Sequence, residues 1–362
     1  MKLTINLKLQ PTVDQTTLLL RTLERANAAA NYASAVAWDT QTFRQFALQK
    51  LVYLDLKTRF ELTAQMVVRC VAKVADAYKL DRKTQRTFRP TGAIAYDDRI
   101  IGFKPADTVS LWALGGRQIM AFVCGDYQRR FLPHRKGEID LIYHGGSFYL
   151  NVVCEVEEPP TGEITDFLGV DLGIVNIATD SDGNIYSGAK VELNRRIYAH
   201  RRRNLQRKDT RAATRKLKRI AGQQARFQKD TNHCISKAIV QTAERTSRGI
   251  ALEDLGGIRD RVTARRRQRA RLANWGFYQL RSFVDYKARL AGVPVVLVNP
   301  RNTSRTCPSC GSIDKANRPN QATFLCASCG FSGHADTIAA GVIRARAAVM
   351  QPMVAIRSEA AS

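Results

Sequence analysis

The sequence predicts a multidomain α/β protein: a β-rich front part interrupted by helices, then a mixed strand–helix part carrying a metal-binding insertion. Three observations predict it. The 362 residues exceed one ordinary domain. After Pro159-Pro160-Thr161-Gly162 the texture changes from short strand-like runs to alternating strands and helices. Two Cys-x-x-Cys pairs then stand fifteen residues apart.

The front part opens with Lys2-Leu3-Thr4-Ile5-Asn6-Leu7-Lys8-Leu9, whose alternation reads as a half-buried strand ending at Gln10-Pro11-Thr12. Helical character follows over Val13–Ala37, and a second helical block runs from Gln41 to Tyr78 with Leu51, Leu54, Leu56, Met66, Val67, Cys70, Val71 and Val74. Between Thr87 and Glu158 come short β-type runs such as Ala93–Tyr96, Ile100–Phe103, Thr108–Trp112, Gln118–Phe122 and Phe148–Val153, separated by turn residues. Strands at this spacing suggest a small barrel or sandwich, which the first strand joins across the helical insertion.

Composition narrows the function. The formal net charge is +25, which implies a polyanionic partner, nucleic acid above all. No apolar run reaches the roughly eighteen residues a membrane span requires, and the alternating start is unlike a signal peptide, so a soluble intracellular protein is expected. Of eight cysteines four are paired by spacing, and Cys70, Cys124, Cys154 and Cys234 stand singly in apolar surroundings. That pattern fits a reducing compartment.

Three acids stand out in the back part. Phe167-Leu168-Gly169-Val170-Asp171 is a buried-strand pattern interrupted by a carboxylate, Gly249-Ile250-Ala251-Leu252-Glu253 is another that ends on an acid, and Asp336 precedes the apolar helix Ile338–Ile343. Singly each has a plain reading: Asp171 in a turn, Glu253 paired with a basic helix, Asp336 as a helix N-cap. Together, in a basic chain, Asp171, Glu253 and Asp336 form the cluster that phosphodiester hydrolysis needs. Two Mg²⁺ ions roughly 3.5–4 Å apart can be held by shared carboxylates, and oxygen ligands with a phosphate substrate favour that metal.

Cys307-Pro308-Ser309-Cys310 and Cys326-Ala327-Ser328-Cys329, each followed by glycine, predict one structural zinc ion in a closed four-sulfur site; a redox dithiol or two disulfides are the competing readings. His334 is not needed as a ligand and lies near Asp336 or on the surface. From Lys190 to Lys229 fifteen Lys/Arg face two acids. Near-unopposed charge favours phosphate contact over a merely solvated face. The candidates are Arg201, Arg202, Arg203, Arg207, Lys208, Arg215 and Lys216, with a second cluster at Arg265, Arg266 and Arg267. Trp275, Phe277, Tyr278, Phe283 and Tyr286 follow on a helix, where core packing is the expected role and base stacking the alternative.

These motifs in this order, Gly169-Val170-Asp171-Leu172-Gly173, Leu252-Glu253-Asp254-Leu255, Asn299-Pro300-x-x-Thr303-Ser304-x-x-Cys307-x-x-Cys310-Gly311, Cys326-x-x-Cys329-Gly330 and Ala335-Asp336-x-x-Ala339-Ala340, resemble the TnpB family of transposon-encoded relatives of type V CRISPR effectors. Leu9-x-Pro11-Thr12-x-x-Gln15 and the block Ala64–Tyr78 match that family's opening. The resemblance implies an RNase H-like (RuvC) mixed sheet at 161–302 and 334–352 with a zinc ribbon inserted at 303–333. It further implies a β-barrel-like wedge domain at 1–12 and 86–160, a helical recognition lobe at 13–85 and a tail at 353–362. It implies an RNA-guided DNA endonuclease with a guide RNA and double-stranded target DNA as partners, no small-molecule substrate, Asp171, Glu253 and Asp336 as catalytic Mg²⁺ ligands, and a cytoplasmic, nucleoid-associated site of action. Sequence specificity would then come from base pairing. The chain departs from the family at Ile338, where asparagine is frequent. An RNA-guided binding regulator that does not cut, and a guide-independent transposase or RuvC-like nuclease, are the alternatives; the first is disfavoured by three intact acids, the second by the recognition-like front part.

Overall fold

The computed structural model describes residues 1–256 and 276–359, with side chains placed as far as 350. The chain divides into two compact units, Met1–Glu157 and Glu158–Ser362.

In the first unit β1 (Lys2–Gln10) buries Ile5, Leu7 and Leu9 and exposes the residues between them, as its alternation predicts. Thr12 caps α1 (Val13–Asp39): its hydroxyl accepts from the Gln15 amide N–H, and the Gln15 side chain accepts from the Thr12 N–H in return. The second helical block is two helices, α2 (Gln45–Arg59) and α3 (Ala64–Leu80). They part at Glu61, whose φ of 52° no helix accommodates. Six strands follow these helices: β2 (Ile94–Tyr96), β3 (Ile101–Lys104), β4 (Thr108–Ala113) and β5 (Gly116–Val123), then, after the short α4 (Asp126–Phe131), the paired β6 (Arg135–His144) and β7 (Ser147–Glu155). The strands form one antiparallel sheet in the order β2-β6-β7-β1-β5-β4-β3. Its two edge strands, β2 and β3, are consecutive in the chain, and the Tyr96 hydroxyl of β2 donates at 2.9 Å to the carbonyl oxygen of Trp112 on β4, the strand beside the other edge. A sheet whose edge reaches across to the far side in this way is curled and nearly closed.

The second unit is built on a five-stranded mixed sheet ordered β10-β9-β8-β11-β12. β8 (Asp166–Asp171), β9 (Asn176–Asp180) and β10 (Ile185–Ser187) form an antiparallel meander; β11 (Arg248–Glu253) joins β8 in parallel, and β12 (Val295–Val298) joins β11 in parallel. The parallel crossovers carry helices. α5 (Ala189–Gln206) and α6 (Arg211–Arg245) lie between β10 and β11, and α7 (Phe277–Leu290) precedes β12. Leu168, Val170, Ile250 and Leu252 pack on one sheet face with Ile235, Ile239, Val240 and Ala243 of α6 and Leu280, Val284 and Ala288 of α7. The opposite face, Phe167, Ala251 and Val298, takes Ile343 and Ala347 of α8 (Ala335–Glu359). A small hairpin, β13 (Thr323–Leu325) with β14 (Ser332–His334), precedes α8.

Three sequence expectations are corrected. Cys234 is exposed, not apolar-packed, because it faces outward on α6. Tyr278 is 82% exposed, so the aromatic stretch of α7 is not uniformly core: Phe277 is buried, and Phe283 stacks on His233 with centroids 3.9 Å apart. The second front helical block is broken at Glu61, as above.

Candidate functional site

Parallel pairing sets Val170 beside Leu252, so the next residues, Asp171 and Glu253, end adjacent strands side by side. Alternation turns both toward the face covered by α8, the face of Phe167 and Ala251. Gly169 lets the helix settle there. A β-carbon at 169 would lie 2.0 Å from the Ala340 carbonyl oxygen and 2.6 Å from the Arg344 nitrogen, so glycine is required for α8 to lie directly on the strand. That close seating brings the first turn of α8, and with it Asp336, to the strand ends.

Asp171 senses the other two acids. Burial, then the charges of Glu253 and Asp336, push the Asp171 carboxyl up to about 8, with Arg318 opposing. Burial also raises Glu253, opposed by the Thr303 hydroxyl and the Arg346 charge. Glu253 is 7% and Asp336 9% exposed. Thr303 donates to Glu253 Oε1; Asn176 Nδ2 donates to Asp336 Oδ2 at 2.9 Å, and Arg318 Nη2 to Asp336 Oδ1 at 2.8 Å. Asp336 is therefore no plain N-cap: its oxygens go to side chains from β9 and from the insertion. Among the described residues Glu253 pairs with no basic helix, and no donor reaches the Asp171 carboxylate.

The donor set suits a hard divalent cation. A carboxyl pushed to about 8 needs positive charge to ionise at neutral pH. Across the β8–β9 pair Thr179 faces Asp171, and its buried hydroxyl has no hydrogen-bond partner. An ion's coordinated water would satisfy it. The carboxylates do not approach as closely as the cysteines do: among the described residues, the cysteine set is the group whose ligand atoms all lie within 4.8 Å.

Cys307, Cys310, Cys326 and Cys329 form that group. The Cys307–Cys329 and Cys310–Cys326 sulfur separations are 3.7 and 3.6 Å, close to the edge of about 3.8 Å of a tetrahedron with Zn–S near 2.3 Å. Gly311 and Gly330 take φ of 73° and 75° and donate their N–H groups to the carbonyl oxygens of Cys307 and Cys326, each at 3.0 Å; these are two matching knuckles. The Cys329 N–H also points at the Cys326 sulfur and lowers the Cys326 thiol to about 6, toward the thiolate a metal takes, while its neighbours' sulfurs raise the Cys329 thiol. His334 is outside this set and pairs with Thr337.

The basic candidates lie on the α5–α6 hairpin, where Arg201, Arg203, Arg207, Lys208, Arg215 and Lys216 are exposed. Arg202 is half-buried and bonds Gln224 across the hairpin, while Arg201 stacks over Tyr198 at 5.5 Å. Arg265, Arg266, Arg267 and Trp275 lie outside the described residues. Sequence reasoning missed Asn176, Thr303 and Arg318. Thr303 stood inside a quoted motif, but Asn176 and Arg318 have no local pattern to mark them.

Residues 151–256 match the family model OrfB_IS605, described as "Probable transposase", and residues 277–343 match the Cas12f1-like TNB domain. The chain is 33% identical over 212 residues to the CRISPR-associated endodeoxyribonuclease Cas12f1 of Sulfoacidibacillus thermotolerans, a match covering 53% of this chain and 49% of that protein. It thus spans about half the length of that relative. A TnpB-like protein of Methanocaldococcus jannaschii is 29% identical over 241 residues, covering 60% of this chain and 82% of its own. Among solved structures, the Cas12f1 chain of a Cas12f1–sgRNA–target DNA complex superposes with a TM-score of 0.61 at 14% identity, over 92% of this chain and 83% of that one. The likeness is one of fold. In these sequence segments the chain is similar to TnpB-like and Cas12f1 proteins, and in fold it is similar to Cas12f1.

Proposed function

We propose that the protein is an RNA-guided DNA endonuclease that hydrolyses phosphodiester bonds at a single carboxylate site. The observation that carries this reading is the convergence of Asp171, Glu253 and Asp336 from β8, β11 and α8, with Asp171 pushed up to about 8, in a chain of net charge +25. It is supported by the relatives: one is named an endodeoxyribonuclease, and a chain of the same fold was captured with sgRNA and target DNA. On this reading residues 161–302 and 334–352 are the RuvC nuclease domain and 303–333 its zinc ribbon, with 353–362 as tail. The front part supplies a wedge domain at 1–12 and 86–160 and a recognition lobe at 13–85, and the protein works in the cytoplasm at the nucleoid. No described helix is long and apolar enough to cross a membrane.

Asp171, Glu253 and Asp336 would hold two magnesium ions, which when bound supply an activated water and charge neutralisation at the departing oxygen. The protein's own work is to keep those oxygens in place. Thr303 fixes one Glu253 oxygen, Asn176 and Arg318 fix both oxygens of Asp336, and Arg318 adds positive charge where a phosphate would approach. Cys307, Cys310, Cys326 and Cys329 would hold one zinc ion and do no chemistry.

The reading is tested by sequencing RNA that copurifies with the protein and assaying cleavage of DNA complementary to its variable end. One structured RNA species and Mg²⁺-dependent cutting are expected, with Asp171→Ala abolishing cleavage and keeping target binding. Cutting retained by Asp171→Ala would remove the site assignment; the absence of any bound RNA would remove guidance.

A further inference from the structure

The first turn of α8 belongs to two cores at once. Ala335 and Ile338, three positions apart on one helix face, are buried with Cys307, Phe324 and Cys326 inside the ribbon, while Ile343 and Ala347 pack on the sheet. Asp336 lies between Ala335 and Ile338. The seat is tight, since a β-carbon at Gly333 would lie 3.1 Å from Ile338 Cδ1. The ribbon also supplies Arg318, one of the two donors that hold Asp336. Asparagine at 338 would bring a polar amide against Cys307 and Phe324, a costly burial without partners; isoleucine turns the same position into a packing contact.

We propose that Ile338 is a positioning residue that couples the cysteine site to the carboxylates, so that zinc in the ribbon strengthens divalent-cation binding at Asp336 and its neighbours. The inference rests on reading the carboxylates as a cation site. The ribbon has a core of few side chains, and a closed sulfur site contributes most of its folding free energy. Loss of the metal loosens Cys307 and Cys326, the surfaces on which Ile338 rests, and frees Arg318. The first helical turn, which has the fewest internal hydrogen bonds, then frays, and Asp336 moves with it. Coupling of two binding equilibria is reciprocal: cation at the carboxylates holds zinc in the ribbon.

The experiment uses the full chain under reducing conditions, with Mn²⁺ as a paramagnetic probe whose free concentration is read by EPR. Proteins are compared with stoichiometric zinc and after zinc removal. In the wild type, zinc removal should weaken Mn²⁺ affinity about tenfold. Zinc-loaded Ile338→Ala should bind Mn²⁺ about fivefold more weakly than wild type and lose little more on zinc removal, and Ile338→Val should restore most of the affinity. Mn²⁺ should also slow zinc release to a chromogenic chelator in the wild type and not in Ile338→Ala. Equal Mn²⁺ affinity in zinc-loaded and zinc-free wild type overturns the coupling, and this comparison needs no variant to fold. Equal affinity in Ile338→Val, Ile338→Ala and wild type removes Ile338 from it. Asp171→Ala separates the two layers: Mn²⁺ binding that ignores this substitution overturns the cation-site reading together with the inference, whereas binding sensitive to Asp171 and indifferent to zinc overturns the inference alone.

Discussion

At the scale of single residues, Asp171 is the group most at odds with its surroundings. Its carboxyl sits at about 8 instead of the ordinary 3.8 because burial and two neighbouring acids disfavour its charge. A raised value means that the folded protein holds a proton the unfolded chain has released. The contribution of Asp171 to cation-free stability is therefore fully present below about pH 4 and is lost as pH rises toward 8. In chelator, Asp171→Asn should match the wild type near pH 4 and melt higher by about 5 °C at pH 8; Mg²⁺ should shrink that gap. Equal melting temperatures at pH 8 in chelator would contradict the environment described. Thr303 acts on Glu253 through one hydrogen bond. Thr303→Val should lower the cleavage rate about tenfold with little change in DNA affinity, Thr303→Ser should recover it, and a Serine variant as slow as valine would mean the methyl group matters and the hydroxyl does not. Strand-terminal acids and paired cysteines are legible because burial of charge and metal spacing are local patterns. Asn176 and Arg318 are not: Arg318 is one of 57 Lys/Arg residues, and its partner is set by how the insertion folds back on α8.

At the scale of elements, the contact between α8 and β8 decides whether there is a site. With the Ala340 carbonyl oxygen and the Arg344 nitrogen both inside contact distance of position 169, Gly169→Ala should push the helix off the strand and cost about 3 kcal/mol or more. Circular dichroism melts would register the loss, and cleavage should fall further than stability alone explains because Asp336 shifts with the helix. A Gly169→Ala protein with wild-type melting and activity would refute the close packing. Periodicity located both α8 and β8. What it could not supply was their distance, because hydrophobic patterning says which face is buried and not how near the neighbour comes. The split of the front helical block has the same origin: Glu61 adopts a left-handed conformation for tertiary reasons that its own side chain does not announce.

At the scale of the whole molecule, charge is the dominant property, and the hairpin of α5 and α6 displays it. Arg201 and Arg203 are exposed there, while Arg202 is committed to Gln224. Changing Arg201 and Arg203 to Gln should weaken RNA binding and reduce the slope of log affinity against log salt by about 0.7–0.9 per lost phosphate contact. Parallel salt lines for variant and wild type would place the RNA elsewhere. The fold class was readable because strand and helix textures differ along the chain. The order of strands was not, since register and crossover depend on contacts far apart in sequence.

That separation has a consequence in time. Asn176 and Asp336, hydrogen-bonded in the folded protein, are 160 residues apart. At roughly 5–20 residues per second a ribosome needs about 8–32 s to travel between them. Through that interval the strand ending in Asp171 exists without its helix, and the insertion that seats the helix is made before Asp336 itself. A chain still being synthesised thus carries fragments of the cluster and no assembled cluster until the segment around Asp336 has been made, which on the proposed function keeps a nascent nuclease from cutting beside the messenger that encodes it.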